Sequence, residues 1–212
     1  MNVFENTEIA SNYDSYYSTE FGAKVDDLEK KLIQDLLSDV PHRNMLELGC
    51  GTGHWTKYFA EHGYTITAID ISDAMLTIAK TKQIANTQFI KANSCQLPFS
   101  NHSFSLIVSI TMLEFVENIE LTIQEMFRVL KPHGTLILGC LNEDSVLGQT
   151  KHQSETFRSA HFFTRPELYR LLLPYGEPVI KETVFLDHQF QFAEIKVNGV
   201  FLGVKVTKKD SL

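Results

Sequence analysis

The sequence predicts an α/β fold built on an open, mostly parallel sheet that ends in antiparallel strands. Three observations carry this: five strand–helix alternations from residue 44 onward, Gly and Asp where apolar runs end, and a β-rich close after Gly176. Ligands on such sheets sit beyond the carboxyl ends of the strands, near the switch in strand order. The residues that carry chemistry are therefore expected at strand ends.

Val25, Leu28, Leu32 and Leu36 fall at helical spacing between Ala23 and Ser38, and Pro41 stops that helix. Asn44 to Leu48 reads as a buried strand ending in glycines. His54 to Glu61 continues as a helix, with Trp55 and Phe59 one turn apart. Thr65 to Ile69 is β-branched and is closed by Asp70, after which Ser72 caps a helix from Asp73 to about Lys82. Thr87 to Ala92 and Phe104 to Ile110 are the next strands, separated by loop chemistry at Leu97-Pro98-Phe99-Ser100-Asn101. Ile119 to Leu130 is helical, stops at Lys131-Pro132-His133-Gly134, and leads into a strand over Thr135 to Cys140. Thr164-Arg165-Pro166-Glu167 matches a capping box with proline in the first turn, opening a helix to about Leu173. Strands are then expected over Val179–Leu186, Phe192–Val197 and Val200–Val206, with Asn198-Gly199 as a hairpin turn.

The chain has 212 residues and 43% hydrophobic positions, enough for one domain with a sizeable core. Lys and Arg number 19 against 26 Asp and Glu, a formal charge of -7. Nucleic acid and acidic membrane surfaces favour basic partners, so neither is expected as a ligand. Lys208-Lys209 is read as a solvated strand end. Cys50, Cys95 and Cys140 share no CxxC spacing, and an odd number of cysteines points to a reducing cytoplasm. Met1 to Ala10 shows no secretory signal, and no apolar run reaches the roughly 20 residues that span a bilayer. The eight histidines are scattered without ligand spacing, so no metal is expected.

Leu46-Glu47-Leu48-Gly49-Cys50-Gly51-Thr52-Gly53 lies where the first strand turns into the first helix of the alternation. Alternating glycines let the backbone turn tightly and approach a ligand, and the helix N-terminus that follows favours negative charge. A dinucleotide fingerprint is G-x-G-x-x-G, and here the third glycine arrives one residue early, at Gly53 rather than at position 54. No Gly-Lys-Ser/Thr appears, so a Walker A loop fails. Asp70 ends the second strand, where an acidic residue can accept hydrogen bonds from both hydroxyls of a ribose.

Glu47 to Gly53 followed by Asp70-Ile71-Ser72 resembles the class I S-adenosylmethionine-dependent methyltransferases. The likeness extends through Ala92-Asn93-Ser94-Cys95-Gln96-Leu97-Pro98-Phe99, Phe104 to Ser109, and Glu125 to Leu136. It is most similar to the small-molecule, type 11 branch. The resemblance implies a Rossmann-like, mostly parallel seven-stranded sheet flanked by helices, with an antiparallel C-terminal hairpin, and S-adenosyl-L-methionine as cofactor. It implies a single domain of residues 1–212: an N-terminal lid and helix (1–40), a cofactor-binding core (41–140) and a substrate-side β segment (141–212).

The same resemblance implies roles. Gly49, Gly51 and Gly53 would line the methionine portion, and Glu47 would reach its ammonium group. Asp70 would hold the ribose, while Ile71 and Met75 would pack against adenine. Asn93, Ser94 and Cys95 would read the adenine edge, with Asn93 standing where the family more often has aspartate. An amide there keeps an acceptor but loses a charge-assisted contact. Thr111 would border the sulfonium and the acceptor. Tyr13 or Tyr17 would cover the donor, and Ser145 to Ala160 with His161-Phe162-Phe163 would build the acceptor pocket. His133 replaces a glycine in the family's Pro-Gly-Gly turn, on the face away from the reaction. The Asn/Asp-Pro-Pro-Tyr/Phe motif of nitrogen-methylating enzymes of nucleobases and amides is absent, Ser109-Ile110-Thr111-Met112 standing in its place.

The expected function is methyl transfer to a small-molecule acceptor by in-line displacement, which needs alignment and exclusion of water more than chemical groups. His54, His102, His161 and Glu114 are candidate bases, and none is assigned. Two other readings stand beside it. One is a nicotinamide-dependent oxidoreductase, distinguishable by titration with NADH. The other is a donor-binding protein of the same fold that does not turn over, distinguishable by screening a metabolite pool for methylated masses. The acceptor and the oligomeric state are left open by the sequence.

Overall fold

The structure, a computed structural model, describes residues 3–193 and 197–210. Seven strands, β1 (Asn44–Leu48), β2 (Thr65–Asp70), β3 (Thr87–Lys91), β4 (Phe104–Ile110), β5 (Leu130–Leu141), β6 (Val179–Phe185) and β7 (Gly199–Thr207), form one sheet in the order β3-β2-β1-β4-β5-β7-β6. Neighbours run parallel from β3 across to β5, and β7 lies antiparallel to both β5 and β6. The seven-stranded, mostly parallel sheet is as the sequence implied.

Short helices α1 (Thr7–Asn12) and α6 (Val146–Thr150) join the longer α2 (Glu20–Leu37), α3 (His54–Glu61), α4 (Asp73–Thr81), α5 (Ile119–Val129) and α7 (Arg165–Leu172). Each begins where the sequence offers a cap or a break. Thr19 starts α2 three residues before the apolar periodicity shows, its side chain accepting from the Gly22 amide at 3.0 Å. Ser72 and Asn118 cap α4 and α5 likewise, and Thr164 with Glu167 closes a reciprocal capping box on α7.

The sheet is packed on both faces, so the central strands are apolar throughout. On one face Met45, Ile66, Leu106 and Val108 meet Ile33 and Leu36 of α2, Phe59 of α3 and Leu76 of α4. On the other, Leu46, Leu48 and Ile107 meet Ile123, Met126 and Phe127 of α5 and Leu168 and Leu172 of α7. Burial of this kind contributes roughly 25 cal/mol per Å² of apolar surface.

Four local expectations are corrected. Asn198-Gly199 is not a two-residue hairpin turn: Gly199 is the first residue of β7 and pairs with Phe185 of β6. β7 is buried on nearly every residue and so takes an interior place, while polar Asp187, His188, Gln189 and Gln191 make the turn at the edge. Of the strand expected over Phe192–Val197, Phe192 only bridges Leu186, and residues 194–196 lie outside the described residues. Lys131 to Gly134 is absorbed into β5 as an irregularity opposite Phe104 rather than ending before it. Lys208 is not solvated but 5% exposed, its Nζ donating to the carbonyls of Phe127 and Leu130 at 2.6 and 2.8 Å. Those carbonyls close α5, where a cation supplies the donors that the helix end lacks.

Candidate functional site

Every loop that leaves the carboxyl ends of β1, β2, β3 and β4 faces one cavity of about 410 Å³, at the switch point between β1 and β4. Its size lies within the range of small-molecule sites. Gly49, Gly51, Asp70, Ile71, Met75, Asn93, Ser94, Cys95 and Thr111 line it, as do Phe4 and Tyr13 from the N-terminal segment. Met112, Phe115, Val116 and Glu117 complete the wall after β4.

The glycine loop is fixed by hydrogen bonds from the Gly49 and Cys50 amides to the carbonyl of Ile69, at 2.8 and 3.0 Å. Gly49 sits at φ +71°, and a Cβ there would stand 2.2 Å from the Met112 side chain. Gly51, at φ +53°, would direct a Cβ into open space, so its backbone is bare toward a ligand. Gly53 is different. It caps α3 at φ +81° and its missing Cβ makes room for Ile84 and Ala79, so it does not line the cavity.

Asp70 is the centre of the polar side. One carboxylate oxygen accepts from the Gly51 amide and the other from Ser72, each at 2.8 Å. Burial raises its pKa, and these backbone donors oppose the rise. Each oxygen keeps a further lone pair for a ligand hydroxyl. Glu47 lies one layer down, 2% exposed on the face toward α3, and it does not line the cavity. Burial pushes its carboxyl up to about 8, and its Oε2 has no hydrogen-bond partner.

Ile71, 39% exposed, and Met75, 2% exposed, put apolar surface on the side of α4. The Asn93 amide oxygen accepts from the Cys95 amide at 2.8 Å, so it serves the turn after β3 while its NH2 remains a donor. Ser94 Oγ and Cys95 Sγ turn back to Thr122 Oγ1 on α5, at 3.4 and 3.3 Å. Those two residues therefore offer the cavity backbone more than side chain. Thr111 takes φ +48°, an uncommon conformation for a β-branched residue, and its amide is held by Gly139 at 2.7 Å.

The N-terminal segment crosses this mouth. Ser72 Oγ donates to the carbonyl of Phe4 at 2.7 Å, and Thr52 Oγ1 donates to Asp14 at 2.6 Å. Asp14 also pairs with Lys82 at 2.5 Å. Tyr13 lines the cavity, whereas Tyr17 stacks on His54 with ring centroids 3.6 Å apart. His54 in turn bonds Asp26 at 2.8 Å.

None of the candidate bases lines the cavity. His161 pairs with Glu167, and His102 lies at the opposite end of β4 in a second cleft with Arg128 and Lys208. Glu114 is 2% exposed, accepts from the Leu141 amide at 2.6 Å and leaves Oε2 unpartnered. Phe162 and Phe163 are 2% and 0% exposed within the core rather than lining the cavity. Residues that the sequence did not single out for the site are Phe4, Met112, Phe115, Val116 and Glu117. The only signal for the last four was their position directly after β4, the strand that ends at the switch point.

Residues 46–138 match the methyltransferase domain family. An uncharacterized methyltransferase of Bacillus subtilis, YodH, is 30% identical over 158 residues, 72% of this chain and 67% of that protein. The chain belongs to the S-adenosylmethionine-dependent methyltransferases. An uncharacterized protein of Methanocaldococcus jannaschii is 33% identical over 187 residues, 86% of this chain and 84% of that protein. Among solved structures, a possible histamine N-methyltransferase of Thermotoga maritima aligns with a TM-score of 0.77 at 24% identity, covering 96% of this chain and 98% of that one. The chain spans about half the length of the malonyl-[acyl-carrier protein] O-methyltransferases that it matches. S-adenosylmethionine is the family's cofactor, and the cavity suits it: paired acceptor oxygens at Asp70, bare backbone at Gly51 and apolar walls at Ile71 and Met75. Among the described residues no helix is long and apolar enough to cross a membrane.

Proposed function

We propose that this methyltransferase acts on a small-molecule acceptor by direct in-line displacement, and that the cavity at the carboxyl ends of β1 to β4 holds the donor. The observation that carries the reading is convergence: four loops far apart in sequence bring nine of the eleven expected residues to one cavity. In this reading Asp70 holds the ribose through both carboxylate oxygens, and the Gly49–Gly51 backbone receives the amino-acid portion. Ile71 and Met75 flank the adenine, and the turn at Asn93 to Cys95 meets its edge through the Asn93 NH2 and backbone amides. Glu47 acts from beneath the glycine loop, its unpartnered oxygen available to an ammonium group directly or through water.

The bound donor supplies an electrophilic methyl group on a sulfonium. The chain's part is alignment and exclusion of water, which Phe4, Tyr13 and Phe115 provide at the mouth. Thr111 and Met112, at the end of β4, border the reacting carbon. Residues 1–40 act as lid and helix, 41–140 as donor core and 141–212 as acceptor side of one domain. A trideuterated-methyl donor incubated with the protein and a metabolite extract tests the reading. The expected result is a labelled small molecule; label confined to macromolecules would overturn it.

A further inference from the structure

The N-terminal segment crosses the donor cavity with little apolar burial to hold it there. Of residues 4–18 only Ala10 is buried, and Ile9 of α1 is 36% exposed. Apolar burial is what ordinarily fixes a segment on a fold, so polar ties gain weight where it is scarce. At one end the Phe4 carbonyl accepts from Ser72 Oγ, at the start of α4. Farther along, Asp14 uses both carboxylate oxygens. Oδ1 accepts from Thr52 Oγ1 at 2.6 Å, and Oδ2 pairs with Lys82 Nζ at 2.5 Å.

The two partners of Asp14 come from different walls. Thr52 is 1% exposed in the glycine loop, between Gly51 and Gly53, and Lys82 follows the last residue of α4. They meet because Gly53 lacks a Cβ, which would stand 3.0 Å from Ile84 and 3.3 Å from Ala79; the end of α4 thus packs directly on the glycine loop. The residue before Thr52, Gly51, donates its amide to Asp70. The residue before Asp14, Tyr13, lines the cavity, its ring edge-on to Phe4 at 6.0 Å. One carboxylate therefore ties the ring over the cavity to the loop that forms its floor, while Asp14 itself does not line the cavity.

We propose that Asp14 is a positioning residue: through Thr52 and Lys82 it holds Tyr13 across the mouth and sets how long the donor or its product stays bound. This rests on the donor-site reading above. Opening the mouth breaks both contacts of the carboxylate, so their loss speeds dissociation and leaves association unchanged or faster. The Thr52 contact is the stronger tie, a buried hydroxyl donating to a charged acceptor. The Lys82 pair is the weaker, its side chains being 23% and 39% exposed.

The test is surface plasmon resonance of S-adenosylhomocysteine on the full chain, with the unfolding midpoint of each ligand-free variant measured alongside. Asp14→Ala is expected to speed dissociation about tenfold, as for loss of a hydrogen bond to a charged group. Asp14→Asn keeps an acceptor for Thr52 and loses only the ion pair, so it and Lys82→Met should each give about threefold or less. In Tyr13→Ala, dissociation should already be fast, and adding Asp14→Ala should change it no further. A merely structural role for Asp14 would lower the unfolding midpoint and act equally with or without Tyr13. Unchanged dissociation in Asp14→Ala, an effect confined to association, or an effect undiminished in Tyr13→Ala overturns the proposal. Wild-type chain that binds no S-adenosylhomocysteine would overturn the donor-site reading itself, and the wild-type trace shows that failure separately.

Discussion

At the amino end of β4 the two cations Arg128 and Lys208 are both partnered. Arg128 donates to Glu125 and to the carbonyls of Leu97 and Phe99, and Lys208 fills the carbonyls that close α5. Arg128 accordingly holds the Glu125 carboxyl below its usual range. Toward the carboxyl end of the same sheet Glu47 and Glu114 are buried with no ion pair among the described residues, and burial raises both of them, as it raises Glu29 in α2. Fold stability alone favours the first arrangement, because an unpaired buried charge costs more than a hydrogen bond returns. The second persists at the end where the cavity lies. The contrast separates charges that hold the sheet together from buried carboxyls that the fold alone does not use.

The pH dependence of stability should break this contrast first. A carboxyl whose folded pKa lies above its unfolded value contributes fully below the unfolded value, near 4.5, and loses that contribution as pH rises through 7 to 8. The ligand-free protein should therefore lose stability between pH 5 and pH 8, on the order of a few kcal/mol in all. Denaturant titrations at the two pH values measure it, and Glu47→Gln should flatten the slope. A stability that rises across this range would place the strained charges elsewhere.

At the satisfied end, Lys208→Ala should cost about 1–3 kcal/mol by leaving buried carbonyls unpaired. Donor-analogue affinity should stay unchanged, since Lys208 lies at the other end of the strands. Asp70→Ala should instead weaken S-adenosylhomocysteine binding by about 1–3 kcal/mol from lost ribose hydrogen bonds, with a smaller loss of stability from the Gly51 and Ser72 amides that it leaves unpaired. The smallest effect is expected for Lys181→Ala. Its ion pair with Asp35 is about half exposed on both sides, and such pairs contribute roughly 0–1 kcal/mol.

The parallel core was legible because its signals are local. Gly49 to Gly53 at the end of β1, Asp70 at the end of β2 and the caps at Ser72 and Thr164 each fix a turn within a few residues. What was not legible depends on contacts across the chain. The place of β7 between β5 and β6 follows from burial on both its faces, which overrides the turn chemistry of Asn198-Gly199. Lys208 reads as solvated until the end of α5 is placed against it, some 80 residues earlier in the chain. Around the cavity, Asp70 and Met75 line the wall, while Ser94 and Cys95 turn toward a threonine on α5 that no local pattern connects to them. Glu29 falls within an ordinary amphipathic helix and gives no signal in sequence.

The central claim is that the cavity between the glycine loop and Asp70 receives the nucleoside of the donor. Calorimetry with S-adenosylhomocysteine on the folded wild-type protein addresses it most directly. The account predicts saturable binding of one molecule per chain that weakens in Asp70→Ala; absence of heat while the chain remains folded would contradict it.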